Sequence, residues 1–383
     1  MKKIMKNQKG ITLVALVVTI IILLILAGIS ISTLTNTGIF EKAKDAKEKS
    51  EVAEKQQGET LDSYEKELNK YTSIELTADR TGAVLSETDN IELHDKNGAK
   101  IIVPAGFKVV NTDDLTVEKG IVVEDSKRNQ YVWIPCTTED SKSQLQFKRT
   151  EWDVEVDGPD NSRASKDELT LTCPENYSAN GLTYAVVNEI VTQVKAEKDS
   201  VRRNGGYYIG RYEVGDENET GTAVIKADQT PMANIIWSTA YSKAKGIGGG
   251  PGATTYLCSS YAWDTAINFI QNNGFPNYAK AREDSYNENW FDKNVKDSTG
   301  KIIKTANNSS RLETGKTTPK CNIYDMGGNV VEFTTEVMPS TSEPAVFRGG
   351  DYYGNGYPAG QRIDGSTSGA TSRLGFRATL FLK

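Results

Sequence analysis

From Ile11 to Phe40 the chain carries no charged residue. Within that stretch the run Ile11-Thr-Leu-Val-Ala-Leu-Val-Val-Thr-Ile-Ile-Ile-Leu-Leu-Ile-Leu-Ala-Gly-Ile29 is almost entirely apolar. A bilayer core is spanned by roughly 20 such residues, whereas the apolar core of a cleaved secretory signal is usually only ~7–15 long. No clear small-x-small cleavage site follows it, so the expected structure is a membrane-spanning helix over residues 11–33. Lys2, Lys3, Lys6 and Lys9 precede it. Basic residues on that flank predict a cytoplasmic N-terminus and an exported C-terminal part. Beyond Gly38, residues 41–57 are rich in helix formers with opposite charges interleaved at helical spacing. This reads as a solvated stalk that continues the helix as far as residue 72, with 73–98 as a linker.

The remainder has a different character. All five tryptophans lie between Trp133 and Trp290, and 28 of the 33 glycines fall after position 90. Residues 99–383 are therefore expected to form a separate globular head. The four lysines of the first ten residues leave the rest at −10 within a net charge of −6, which argues against a nucleic-acid partner. A single histidine, His94, excludes sites built on several imidazoles. Its turn-rich surroundings, Glu92-Leu-His-Asp-Lys-Asn-Gly98, suggest a solvated loop. Cys136, Cys173, Cys258 and Cys321 form no CxxC motif; an exported head permits disulfides, and free packing as small hydrophobes is equally compatible.

Short β-branched and aromatic runs over 99–110, 120–125 and 129–135 predict strands. Helices are expected at Tyr184–Ser200 and Ser259–Asn273. In the second, Trp263, Ala266, Ile267 and Ile270 repeat at i, i+3, i+4 and i+7, a core-facing stripe. Gly246-Ile-Gly-Gly-Gly-Pro-Gly252 lacks the Gly-Lys-Ser/Thr ending of a phosphate loop and reads as a flexible connection. The polar stretch Asp140–Glu168 reads as a loop insertion.

Two resemblances organise these features. Lys9-Gly10-Ile11-Thr-Leu-Val-Ala15 followed by the apolar run resembles the class III signal of type IV prepilins. That resemblance implies cleavage after Gly10 by a prepilin peptidase, with Ile11 as the methylated mature terminus, and contacts with other pilin-like subunits. Ala15 occupies the position where the family usually has the glutamate associated with assembly.

The second resemblance rests on four blocks in order: Tyr208-Ile-Gly-Arg-Tyr-Glu-Val214, Asn322-Ile-Tyr-Asp-Met-Gly-Gly-Asn-Val-Val-Glu-Phe-Thr-Thr335, Val346-Phe-Arg-Gly-Gly-Asp-Tyr-Tyr353 and Ser372-Arg-Leu-Gly-Phe-Arg-Ala378. Together they resemble the formylglycine-generating-enzyme (sulfatase-modifying factor) domain. The implied fold is α+β with a C-type-lectin-like architecture, here carried on a long transmembrane and stalk helix.

The enzymes of that family bind copper through two cysteines that follow the RGGS motif. The matching positions are Gly354 and Ala359, the motif serine is Asp351, and no cysteine follows Cys321. Neither a copper thiolate site nor a histidine-based iron site is expected, and no catalytic residue is assigned. The resemblance does imply a structural calcium, held by the side chains of Asp325 and Glu332 and the carbonyls of Gly328 and Val330. The plainer alternative is that Asp325 caps a turn and Glu332 pairs with an arginine.

Where the cysteines would sit, Asp351, Tyr352, Tyr353, Asn355 and Tyr357 have the composition of adaptable recognition surfaces. The variable proteins of diversity-generating retroelements are similar in presenting ligand-binding residues on this fold. The expected function is thus a non-catalytic, membrane-anchored, pilin-like surface protein whose head binds a glycan or protein. A structural minor pilin and a diverged oxidase are the alternatives.

Overall fold

The computed structural model describes residues 44–58, 60, 74–111, 114–152, 154, 167–339, 342–353 and 357–383. The chain divides into two compact units, Met1–Asp62 and Ser63–Lys383. In the first, residues 44–58 are helical and largely exposed, as their sparse apolar content requires. Among the described residues no helix is long and apolar enough to cross a membrane. The expected span, residues 11–33, lies outside them, as do Gly10, Ile11 and Ala15.

The second unit is α+β. Its centre is a six-stranded antiparallel sheet in the order Ala253–Leu257, Ala378–Leu382, Gly206–Gly210, Gln130–Pro135, Val122–Glu124, Lys108–Val109. Successive side chains of a strand point to opposite faces, and here both faces are buried. Trp133, Tyr208, Leu380 and Leu382 join one apolar cluster, while Val132, Ile134, Tyr207, Ile209 and Phe381 join the other. Strands covered on both sides read as near-continuous apolar runs, which is how 129–135 and 378–382 are written. Gly206 lets the strands close. A Cβ there would stand 2.5 Å from the Trp133 ring and 2.6 Å from the Ile134 carbonyl.

Three helices pack around this sheet. Helix α1 spans Tyr184–Asn204, started by the Thr183 hydroxyl accepting from the Val186 amide and ended by Gly205 in the left-handed region. Helix α2 is Trp237–Ile247 and α3 is Ser260–Asn272. Trp263, Ala266, Ile267 and Ile270 are fully buried on α3, as their spacing predicts. A second sheet, ordered Arg362–Gly365, Ala345–Arg348, Val331–Val337, Leu374–Phe376, ends in a parallel pair and carries three of the four sequence blocks.

Three expectations need correction. His94 is not in a solvated loop: it ends strand Ile91–His94, pairs with Lys100 and is 3% exposed. The turn chemistry read around it belongs to the next residues, where Asp95 Oδ1 accepts from the Asn97 and Ala99 amides. Residues 74–98, expected as a linker, are built into the head. Leu76 is buried, its amide donates to the His94 carbonyl, and Leu93 is fully enclosed. The stretch 140–168 is not simply an insertion either. Phe147 packs in the core against Tyr207, Tyr261 and Phe381, and Glu168 is wholly buried. The Gly246–Gly252 connection is partly fixed, since a Cβ at Gly252 would meet Asn90 Oδ1 at 2.1 Å. All four cysteines are free, and Cys136, Cys258 and Cys321 are buried.

Helix α1 also carries a buried acid. Glu197 accepts from the Ser259 hydroxyl at 2.6 Å and from the Gln193 amide at 2.8 Å, and burial raises its pKa from 4.5 to about 8. The folded state therefore retains a proton that the unfolded chain has released, and stability falls as pH rises between those two values. Thermal melts of the wild-type chain should show a Tm that declines across this interval, with a visibly shallower decline in Glu197→Gln. Equal slopes in the two proteins would exclude this account of Glu197.

Candidate functional site

The four sequence blocks, spread over 170 positions, meet in one place. Glu213 receives the Asn329 side-chain amide at 2.7 Å and the Val330 backbone amide at 3.0 Å. Two residues on, Glu332 takes both its hydrogen bonds from Arg377, at 2.7 and 3.1 Å, while Arg377 also donates to the carbonyls of Gly210 and Tyr324. The arginine of the closing Gly-Phe-Arg thus ties the first block to the second. Gly349 and Gly350 allow the third block to close against them. Gly349 has φ 77°, and a Cβ would lie 2.4 Å from the Met326 carbonyl; at Gly350 it would lie 2.1 Å from the Tyr357 carbonyl.

Behind this junction lies a network of arginines and carboxylates. Arg348 donates to Asp264 at 2.6 Å, Glu336 at 2.9 Å and the Gln361 carbonyl at 2.9 Å. Arg362 reaches the same two carboxylates at 2.5 and 2.8 Å, and Arg149 reaches Glu336 at 2.9 Å. Asp264, Glu336 and Arg348 are fully buried. Glu168 joins the edge, accepting from the Ser260 amide and the Ser260 and Thr335 hydroxyls; its pKa is raised to about 7 by burial, then by Glu336. Each arginine fork meets acceptors in directions its planar geometry supplies. The arrangement holds the 149–152 segment, α3 and the second sheet together.

Ala359, one of the two positions matched to the enzymes' cysteines, is buried, and its carbonyl accepts from the Trp263 indole at 2.9 Å. The other, Gly354, lies outside the described residues. Three of the four cysteines are poor nucleophiles. Burial pushes the thiols of Cys136 and Cys258 well up and that of Cys321 to about 12.

The residues expected to hold calcium are close in the chain but engaged. Asp325 accepts from the Thr317 hydroxyl at 2.7 Å, and Glu332 is bound by Arg377 as above. Burial, then Glu288, raises the Asp325 pKa to about 7. Four buried carboxylates, Glu213, Glu288, Asp325 and Glu332, are compensated here by Arg377 and Lys320, and Glu288 Oε2 has no hydrogen-bond partner. An oxygen-rich set with more carboxyl groups than cationic partners is the donor chemistry a hard cation takes. Among the described residues no three His, Cys, Asp or Glu side chains are placed to hold a metal, so carbonyl ligands would have to complete any such site.

The expected recognition residues divide. Tyr352 is 7% exposed, its amide donates to the Asn329 carbonyl, and its hydroxyl lies 2.9 Å from Ser372 Oγ, so it serves packing. Asp351 is buried, accepts from the Tyr353 amide at 2.8 Å, and has its pKa raised to about 6 by burial. Tyr357 is half-buried and Asn355 lies outside the described residues. Among the described members of the set, Tyr353, 54% exposed, is the one presented to solvent. Beside it stands Arg373, which the sequence reading did not single out, with its guanidinium 5.1 Å from the ring centroid.

Residues 182–380, just over half of the chain, match the sulfatase-modifying factor enzyme 1-like domain. The chain belongs to that family. Residues 5–31 match the prokaryotic N-terminal methylation motif. Similar solved structures include CarF, at 17% identity and TM-score 0.35 over 46% of this chain and 87% of its own. Treponema denticola variable protein 1 is similar at 17% identity and TM-score 0.32, over 46% of this chain and 84% of its own. PvdO from Pseudomonas aeruginosa is similar at 17% identity and TM-score 0.32, over 47% and 82%. No curated protein matches. The sulfatase-modifying-factor-like head is joined in one sequence to a prepilin-type N-terminus, a combination that supports a pilin-like surface protein.

Proposed function

We propose that this chain is a non-catalytic, membrane-anchored surface protein that presents its sulfatase-modifying-factor-like head for ligand binding. The observation that carries the reading is the pair Gly354 and Ala359 at the positions of the enzymes' copper-binding cysteines, with no cysteine after Cys321. A copper thiolate needs soft sulfur ligands, and backbone and alanine supply none. The exposed Tyr353 beside Arg373 supports binding on the same face. Residues 11–33 would anchor the protein after prepilin peptidase cleaves behind Gly10, leaving the head at the cell surface. Display of the full-length chain on a glycan and host-protein array tests the reading. Specific signals reduced by Tyr353→Ala are expected; an array blank for the wild type would count against it.

Calcium belongs to the same proposal as a structural ion. Asp325, the Gly328 and Val330 carbonyls, and Glu332 shared with Arg377 would hold it. It would offset the excess buried carboxylate charge. A ligand bound only by the folded state at a hundredfold excess over Kd stabilises by about 2.7 kcal/mol. Calcium should therefore raise the Tm of the full chain, and Asp325→Ala should remove that response. A wild-type Tm indifferent to both calcium and chelator would reject the ion.

A further inference from the structure

The exposed face around Tyr353 is basic on a protein that is acidic overall. Two arginines flank Ser372. Arg311 Nη1 donates to the Ser372 carbonyl at 3.1 Å, and Arg373 is the next residue along. Arg373 is 46% exposed at its side chain and sits 3.6 Å from Asp351, whose own side chain is 11% exposed and already accepts the Tyr353 amide. The acid is therefore turned inward, while the guanidinium stays partly exposed over the Tyr353 ring. Thr371 and Ser372 are exposed at the edge, the Thr371 hydroxyl accepting from the Arg373 amide and the Ser372 hydroxyl paired with that of Tyr352. The chain's net charge of −6 makes this local positive charge a selective feature rather than part of a basic surface.

These groups ask for one kind of ligand. A guanidinium fork takes a carboxylate with two parallel hydrogen bonds. A tyrosine ring half out of the surface offers a flat apolar face with a polar tip. Serine and threonine hydroxyls take and give hydrogen bonds. A hexuronic acid unit carries all three complements: a carboxylate, a flat C–H face and ring hydroxyls. An acidic peptide side chain supplies the carboxylate without the flat face. We infer that the Tyr353–Arg373–Arg311 face binds an acidic, uronate-bearing polysaccharide. The inference rests on the binding reading above and specifies its ligand.

The test uses the full-length chain in detergent micelles, with immobilised polygalacturonate as the probe and neutral galactan and poly-glutamate as comparisons. Polygalacturonate should be preferred over both, and its binding should weaken as salt is raised. Arg373→Gln and Tyr353→Ala should each weaken it roughly tenfold, the loss of one anchor at a recognition site. Arg202→Gln on α1, paired with Asp199 and not part of the proposed face, changes net charge equally and should leave binding intact; unchanged melting curves would show that all three variants fold. Equal binding of neutral galactan, or an Arg373→Gln variant as good as wild type, overturns the inference while leaving a binding head. Preference for poly-glutamate likewise overturns it in favour of a peptide ligand. No binding to these probes or to any arrayed ligand overturns both readings.

Discussion

Arg348→Met should destabilise the head by about 3–5 kcal/mol, the usual cost of removing one partner from a buried charge network. The reason is a count of charges and donors. Asp264 and Glu336 are fully buried, and Arg348 donates a separate hydrogen bond to each, at 2.6 and 2.9 Å, plus a third to the Gln361 carbonyl. Methionine fills similar volume but provides none of these. Arg362 and Arg149 remain, so Asp264, Glu336 and Glu168 would face two guanidiniums where they now face three. Arg348→Lys should fall between wild type and methionine, because one ammonium cannot address three acceptors in fixed directions. Urea denaturation monitored by tryptophan fluorescence measures this. A loss below about 1 kcal/mol for Arg348→Met would mean that the network is not an integral part of the fold.

Trp263→Ala should cost about 3–5 kcal/mol through a different mechanism, the cavity left by a large buried ring. Trp263 is fully enclosed on α3, its indole N–H donates to the Ala359 carbonyl at 2.9 Å, and its ring lies under the Arg348 guanidinium at 5.6 Å. Truncation removes apolar contact, strands that carbonyl and takes away the surface on which the arginine rests. Since the two sites touch, their effects should not add. The double variant should be less destabilised than the sum of the single ones by more than the few tenths of a kcal/mol seen for independent sites, about 0.3–0.5. Trp263→Phe, which keeps the ring and loses the N–H, should retain much of the stability. A Trp263→Ala variant as stable as wild type would contradict the placement of α3 against the second sheet.

Periodicity made part of this fold readable. The α3 stripe and the strand runs at 122–124 and 130–135 are local patterns, and each appears where its spacing predicts. Partners distant in sequence hid the rest. His94 looks solvated because its neighbours form a turn, whereas its pairing with Lys100 and the backbone hydrogen bonds from Leu76 to the His94 carbonyl and from the His94 amide to Ile74 enclose it. Arg149 and Glu168 lie in a polar stretch whose composition says loop, yet Arg149 pairs with Glu336 and the buried Glu168 accepts from the Ser260 amide and the Thr335 hydroxyl. Helix α2 gave no clear signal because Ser238, Thr239 and Ser242 dilute its apolar stripe and its N-cap makes no side-chain bond. At the candidate site, composition alone could not separate Tyr352, which packs inward, from Tyr353, which faces solvent one residue later. Arg373 was visible within the Arg-Leu-Gly-Phe-Arg block, but nothing local linked it to the tyrosine.

The central claim is that this head keeps the family scaffold without the family's copper chemistry. Its most direct test is the protein-dependent oxidation of a cysteine-containing peptide by the full-length chain supplied with copper and oxygen, followed as loss of peptide thiol and gain of aldehyde. The account predicts conversion no faster than copper alone at the same concentration. Aldehyde that accumulates in proportion to the protein, over many turnovers, would contradict it.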